Sequence, residues 1–315
     1  MGISESVIHG TVMPIWYHPL YTEGISEGAR FPRERYRILR ERLTALEKEG
    51  TVSIECPEPI SPEILKISHE EGYVDRFLQG SLSQAEIRRI GLQPWTDRFV
   101  ERTLRIMGGS VSALEHVLAH GGLSGNLAGG THHSHRSYGS GYCVFNDLSV
   151  CALLARDVHG CSRVLVLDLD VHQGDGTASI LSGEDGVTTI SVHCAQNFPF
   201  RKTESDYDLA VEADSGDDEY LSVIEDAMTI VERYDPDLIL FQAGVDGLSE
   251  DALGRLSLSR EGMRYRNKRV FDYVLDKQVP CVVFMGGGYS EPIDYTVDAL
   301  MDLFRGAANA NSLLS

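Results

Sequence analysis

Four short apolar runs divide the second half of the chain: "RVLVLD" at 163–168, "VTTISV" at 187–192, "DLILFQ" at 237–242 and "PCVVFM" at 280–285. Each is too short for a helix and has β-type composition, so each predicts a strand. Helical spacing lies between them, around 146–158, 218–233 and 260–277. Upstream, Tyr36, Leu39, Leu43 and Leu46 recur at helical intervals within 33–48, and 97–119 predicts another helix with Gly108 and Gly109 as its weak point. Strands alternating with helices imply an α/β fold in three layers, a mainly parallel sheet covered by helices on both faces. No repeat, low-complexity tract or Pro/Ser-rich linker interrupts the pattern, which predicts a single domain over 1–315.

Polar residues gather where the apolar runs end: "DLDVH" at the first, "SVH" at the second, "AGVD" after the third and "GGGY" after the fourth. In open α/β sheets ligands bind beyond the carboxyl ends of the strands, so these ends nominate one site. Asp168, Asp170 and His172 stand two apart, and an extended segment would turn all three to the same side. Two carboxylates and an imidazole, with a position open for water, suit a catalytic zinc or a similar divalent ion. The plainer alternative is a polar loop whose aspartates cap the next helix, as Asp175 before "GTASIL" could do. Asp246 is the best further ligand from another strand end, and is otherwise a turn aspartate.

Elsewhere, "GGTHHSH" at 129–135 offers His132 and His133 on a glycine-rich loop, where histidine is the usual general base. Asp168 and Asp175 are available to orient the two rings. "MGGGYS" at 285–290 lets a loop approach a ligand closely, and Tyr289 could donate its hydroxyl to a developing oxyanion. No phosphate-binding signature accompanies these glycines. "GYCVFND" at 141–147 reads as a wall with Tyr142 and Phe145, although aromatic residues are more often plain core.

Composition narrows the ligand. With 28 Lys+Arg against 47 Asp+Glu, the net charge of −19 repels phosphate backbones and argues against nucleic acid. The same surface tolerates cationic substrates. The six cysteines form no CxxC pair, which predicts a reduced, cytoplasmic chain. No run approaches the roughly 18–20 apolar residues of a membrane span. The N-terminus lacks the pattern of a secretory signal, and Met1-Gly2 with Ser6 fits a myristoylation pattern only superficially.

Together the pieces resemble the histone deacetylase superfamily, and among its members the bacterial proteins similar to class IV histone deacetylases. The matching stretches are "PIWYHPLY" at 14–21, "RFPRERYRIL" at 30–39, "HEEGYVDRF" at 69–77, "NLAGGTHHS" at 126–134, "GYCVFND", "DLDVHQGDGT" at 168–177, "AGVDGLSEDALGRLSLS" at 243–259 and "GGGYS". They run in family order along most of the chain. The resemblance implies the arginase/deacetylase fold and an amidohydrolase acting on Nε-acyl-lysine-type amides. It makes Asp170, His172 and Asp246 the ligands of Zn2+, or of Fe2+, and His132 and His133 the tandem histidines, partnered by Asp168 and Asp175. Tyr289 becomes the residue that polarises the scissile carbonyl. Gly141, Tyr142, Phe198 and Gly287 become the channel for the lysine chain. A structural K+ would be held at Asp168, Asp170, His172, Ser191 and Val192. Class IV relatives often carry Asn at the position of Asp175, and an aspartate there should make His133 more basic.

The substrate implied is an acyl-lysine protein or peptide, a long-chain acyl-lysine among them, or an acylated polyamine. An arginase-like ureohydrolase would need two manganese ions and further ligands that "DVHQGDG" does not supply, and a non-catalytic binding protein would not need the intact acid/base set. The sequence sets neither acyl length nor oligomeric state.

Overall fold

The structure, a computed structural model, describes residues 12–314. The secretory-signal and myristoylation readings of the N-terminus lie outside the described residues. In chain order the first half contains β1 (Met13–Trp16), α1 (Leu20–Glu23), α2 (Glu34–Lys48), β2 (Val52–Glu55), α3 (Pro62–Leu65), α4 (Glu71–Leu78), α5 (Gln84–Ile90), α6 (Phe99–His120), β3 (Leu123–Asn126) and α7 (Asp147–Asp157). There follow β4 (Val164–Asp168), α8 (Asp175–Leu181), β5 (Val187–Cys194), β6 (Tyr207–Val211), α9 (Asp217–Tyr234), β7 (Leu238–Gln242), α10 (Arg260–Lys277), β8 (Cys281–Phe284) and α11 (Asp294–Asn311).

The strands form one parallel sheet in the order β2-β1-β3-β8-β7-β4-β5-β6. Central β4, β7 and β8 are buried along their whole length, which is why they read as unbroken apolar runs. Helices α6 and α7 pack on each other, α6 against β1, β3 and β8 and α7 against β4, β5 and β7. On the opposite face α9, α10 and α11 pack in a row, with α11 reaching α2.

Strands β3 and β4 follow each other in sequence yet are separated in the sheet by β8 and β7. Such a change in winding direction opens a crevice at the carboxyl ends. One register row crosses it: Asn126, Phe284, Gln242, Asp168 and Ser191 are Cα partners in turn from β3 to β5. The loops after β3, β8, β7 and β4 therefore leave the sheet side by side.

Two expectations change. Gly108 and Gly109 do not interrupt α6, which runs unbroken through them. A Cβ at Gly108 would lie 1.9 Å from the Glu58 carbonyl oxygen, and one at Gly109 2.6 Å from the Tyr21 hydroxyl, so the pair permits close packing that any side chain would block. The sequence pattern also omits β1, β2, β3 and β6. β1 carries Pro14 and β3 reads "LSGN". The polar side chains of β3 are satisfied by α6: Ser124 donates to the Ala113 carbonyl (2.7 Å) and Asn126 to that of Ile106 (2.9 Å). Such pairing is long-range and leaves no local signature. No helix among the described residues is long and apolar enough to cross a membrane, and all six cysteines are unpaired.

Candidate active site

Strand β4 ends at Asp168, and the next residues turn in bends instead of continuing extended. The Asp170 N–H donates to Asp168 Oδ1 (3.1 Å) and the His172 N–H to Asp170 Oδ1 (3.0 Å). These local aspartate turns compete with strand geometry and rotate the side chains apart. Asp168, Asp170 and His172 thus do not share one side as alternation suggested. Asp168 faces His132, while Asp170 and His172 converge with Asp246 from beyond β7, their ligand atoms all within 4.8 Å of one another and buried. His172 Nδ1 lies 3.1 Å from Asp170 Oδ1 and 3.0 Å from Asp246 Oδ2. The backbone closes around the cluster: Gly287 N–H donates to Asp170 Oδ2 (2.8 Å) and Val171 N–H to Asp246 Oδ1 (3.0 Å).

The loop after β3 brings the two histidines to this cluster. His132 Nδ1 is 2.7 Å from Asp168 Oδ2, and His133 Nδ1 is 2.7 Å from Asp175 Oδ1. Each ionised carboxylate places a proton on the near nitrogen and leaves Nε2 free of that bond. His132 Nε2 is 3.9 Å from Asp170 Oδ1. The loop itself is tied down by Asp147, whose carboxylate accepts from the Gly130 and Thr131 N–H groups (3.0 and 2.8 Å) and from Ser110 (2.7 Å). Asp175 opens α8 but caps nothing, because its carboxylate turns to His133 and, at 3.3 Å, to His135 Nε2.

A cavity of about 650 Å³ reaches from the surface to these groups. Gly141, Tyr142, Phe198 and Gly287 all line it, as does Tyr289. Phe198 packs edge-on to His133 (4.9 Å between centroids), and Tyr142 lies 6.0 Å from Tyr289. Phe145 is not a wall: it is core, packed on His69, Tyr73 and Phe77. Ser191 and Val192 are buried on β5 beside Asp168, and Ser191 Oγ lies 3.0 Å from His193 Nδ1.

Residues 30–302 match the family described as the histone deacetylase domain. This chain belongs to the histone deacetylase domain family. The family is one of deacetylases and amidohydrolases that are generally metal-dependent. An uncharacterized protein of Picosynechococcus sp. is 38% identical over 89% of this chain and 93% of its own length. Histone deacetylase 2 of Arabidopsis thaliana is 31% identical over 71% of this chain, which spans only 60% of that relative. The fold is shared with an acetylpolyamine aminohydrolase from Burkholderia pseudomallei, with a TM-score of 0.77 and 18% identity over 93% of this chain and 98% of that one.

In this deacetylase-family site the charges are tightly arranged. Burial disfavours the His172 imidazolium, yet Asp170 and Asp246 overcome it and hold its pKa up at about 10. Burial and the neighbouring Asp170 raise the carboxyl of Asp246. A proton thus stands in for a cation among donors that match a divalent ion, so the residues fit one. His132 is held up at about 9 by Asp168 and Asp170 against burial. His133 goes the other way, down to about 3, through burial and the charge on His132. Asp175 pulls it upward, the direction expected of an aspartate there, but burial and His132 outweigh that pull. Desolvation raises the Tyr289 hydroxyl well above the usual phenol value, which keeps it a hydrogen-bond donor at neutral pH.

Several supporting groups carry no sequence signal of their own. Arg266 is fully buried in α10 and donates to the carbonyls of Leu169 (3.0 Å), Gly244 (2.7 Å) and Ala243 (3.1 Å), joining the loops that carry Asp170 and Asp246. Asp251 accepts from the backbone N–H of Tyr289 (2.6 Å), Leu253 and Gly254 (2.9 Å each). Asn197 donates to the Leu253 carbonyl (2.7 Å) and sits 3.4 Å from His172 Nε2. A mid-helix arginine reads as solvated surface unless the fold is known.

Proposed function

We propose that the chain is a deacylase that hydrolyses Nε-acyl-lysine-type amides with a divalent ion held by Asp170, His172 and Asp246. The observation that carries this reading is the meeting of that three-donor cluster, two His–Asp pairs and Tyr289 in one cavity. Zinc suits the donor set, with ferrous iron as the other ion. When bound, the ion would supply Lewis acidity toward the acyl carbonyl and acidify water. His133, neutral and anchored by Asp175, accepts a proton from the attacking water and passes one to the leaving amine. His132 stays charged beside Asp168 and stabilises negative charge developing at the acyl carbon. The Tyr289 hydroxyl donates to the carbonyl oxygen as it becomes an oxyanion. Gly141, Tyr142, Phe198 and Gly287 enclose the lysine methylenes and keep bulk water out. A potassium ion at Asp168, Asp170, His172, Ser191 and Val192 would brace the ends of β4 and β5, where Asp168 and Ser191 stand in register.

At the mouth stand Arg89 and Arg255, both exposed and both lining the cavity. They repel a polycation, which favours acyl-lysine over an acylated polyamine. The test is a panel of acetyl- and longer acyl-lysine peptides and acetylpolyamines, with bound metal counted per chain. Lysine peptides should be cleaved, with one catalytic ion. Asp170→Ala should lose both ion and activity, and activity unchanged in that variant would refute the metal assignment. Tyr289→Phe should lower turnover by roughly 10²–10³-fold with the metal retained, and near-normal turnover would remove Tyr289 from the mechanism.

A further inference from the structure

The two His–Asp pairs are built alike at one carboxylate oxygen and differently at the other. Asp168 gives Oδ2 to His132 (2.7 Å), and its Oδ1 accepts the Asp170 N–H (3.1 Å). Asp175 gives Oδ1 to His133 (2.7 Å), and its Oδ2 faces Nε2 of a third histidine, His135, at 3.3 Å. An ionised carboxylate only accepts, so the proton of this contact sits on His135 Nε2. Backbone holds the second oxygen of Asp168. A side chain holds that of Asp175.

The second contact matters because of how a carboxylate moves. The terminal torsion of aspartate is broad, so a single hydrogen bond leaves the carboxylate plane free to rock. One donor on each oxygen fixes it. Burial raises the Asp175 carboxyl, yet the bonds from His133 and His135 outweigh burial and hold it well below the usual carboxylate range. Asp175 is therefore an ionised acceptor for both rings.

His135 is itself held in place. Its N–H donates to the Tyr138 carbonyl (2.9 Å), its own carbonyl accepts from His69 Nδ1 (3.0 Å), and its ring stacks on Tyr138 with centroids 4.5 Å apart and planes at 22°. His132 and His133 line the cavity and His135 does not, so it meets no substrate held there. Nor is its ring needed to tie the histidine loop to α8. The Thr177 N–H donates to the His132 carbonyl (3.0 Å), and Asn146 Nδ2 joins the Ser134 carbonyl to the Thr177 hydroxyl (3.0 Å each). What the His135 imidazole adds is its hold on Asp175.

We propose that His135 is a positioning residue for the general base: by holding Asp175 Oδ2 it fixes the carboxylate plane, so that Oδ1 keeps the His133 ring aimed at the attacking water and the leaving amine. This rests on the deacylase reading above. His135 exchanges no proton with the substrate. It acts on turnover and not on substrate binding, and it acts through Asp175 alone.

The experiment measures kcat and KM of the metal-loaded protein on an acetyl-lysine peptide for the wild type, His135→Phe and His135→Gln, and repeats the series in Asp175→Asn. His135→Phe keeps a ring to stack on Tyr138 but has no N–H to donate. Its kcat should fall about tenfold, as for other outer partners of an active site, with KM and metal content unchanged. His135→Gln, which carries an amide N–H near the place of Nε2, should recover most of the loss. In Asp175→Asn the His135→Phe change should cost nothing further, since its effect passes through the carboxylate. In proton NMR the low-field Nδ1 proton of His133, identified by its absence in His133→Gln, should shift or broaden in His135→Phe. That of His132 should stay in place, because backbone braces Asp168.

Circular dichroism checks that each variant is folded, and His135→Ala, which only removes atoms, replaces His135→Phe if the latter is not. Wild-type kcat in the folded variant, a loss confined to KM, equal losses in His135→Phe and His135→Gln, or the same loss again in Asp175→Asn overturns the proposal. If the wild type cleaves no acyl-lysine, the deacylase reading falls and the His133 proton alone decides the hold on Asp175. A resonance displaced in His135→Phe and restored in His135→Gln sustains it, and one that never moves overturns it.

Discussion

Gly287→Ala tests how tightly the proposed metal donors are built. A Cβ at this position would stand 1.8 Å from Asp246 Oδ2, 2.5 Å from its Cγ and 2.9 Å from Asp170 Oδ2. The backbone cannot simply withdraw, because Gly287 donates to Asp170 (2.8 Å) and its carbonyl accepts from the Val245 N–H (2.9 Å). Restoring an ordinary contact of about 3.2 Å moves the Asp246 oxygen by about 1.4 Å, whereas metal–ligand distances tolerate only about 0.2 Å. The variant therefore loses one donor. Changes that merely reorient ligands cost about 10–100-fold in metal affinity, so at least a hundredfold loss, about 2.7 kcal/mol, is expected. Competition of the folded, metal-free protein against a chromophoric zinc chelator measures it directly. Affinity within threefold of the wild type would refute both the placement of the glycine loop and the three-donor site.

Arg266→Met should cost about 3–5 kcal/mol in urea unfolding, since three buried carbonyls lose a charged donor at once; a loss under about 1 kcal/mol would mean the two ligand loops hold themselves. Asp251→Asn should lower kcat more than KM while leaving metal content unchanged, because it releases the backbone of Tyr289 and not the donors; equal metal loss would contradict this. His69 gives a pH test away from the metal donors. It is buried between the His135 carbonyl (3.0 Å) and the Asn146 N–H (2.9 Å), a pair of partners that requires the neutral ring. Burial pushes its pKa down to about 4. The unfolded chain takes up this proton first, so the stabilisation is intact above about pH 6.5 and is lost as pH falls toward 4, by up to about 3 kcal/mol. Unfolding free energies of wild type and His69→Gln between pH 4 and 7 should differ in slope, and parallel curves would refute the assignment.

Much of the central architecture was legible because it is local. β4, β5, β7 and β8 are apolar on both faces and appear as unbroken runs, and α2, α6, α7, α9 and α10 keep their helical spacing. The outer strands were not legible. β3 hides its polar side chains against α6, and β6 lies at the sheet edge with much of its length exposed, so neither shows the apolar run that marks a strand.

The sequence by itself determined the chemistry on offer: which carboxylates, imidazoles and phenol stand at strand ends, and, through motifs in family order, which family they resemble. The resemblance assigned Asp168 to a histidine and Asp170 to a metal, but the residues read locally, by strand alternation, did not separate the two. Their separation follows from aspartate turns and from a sheet order that inserts β8 and β7 between β3 and β4. Nor could the sequence show that Asp175 is outweighed at His133, or that Arg35 and Arg102, 67 positions apart, face the same cavity. Electrostatic balance depends on distances and on exclusion of water, and both are properties of the packed molecule.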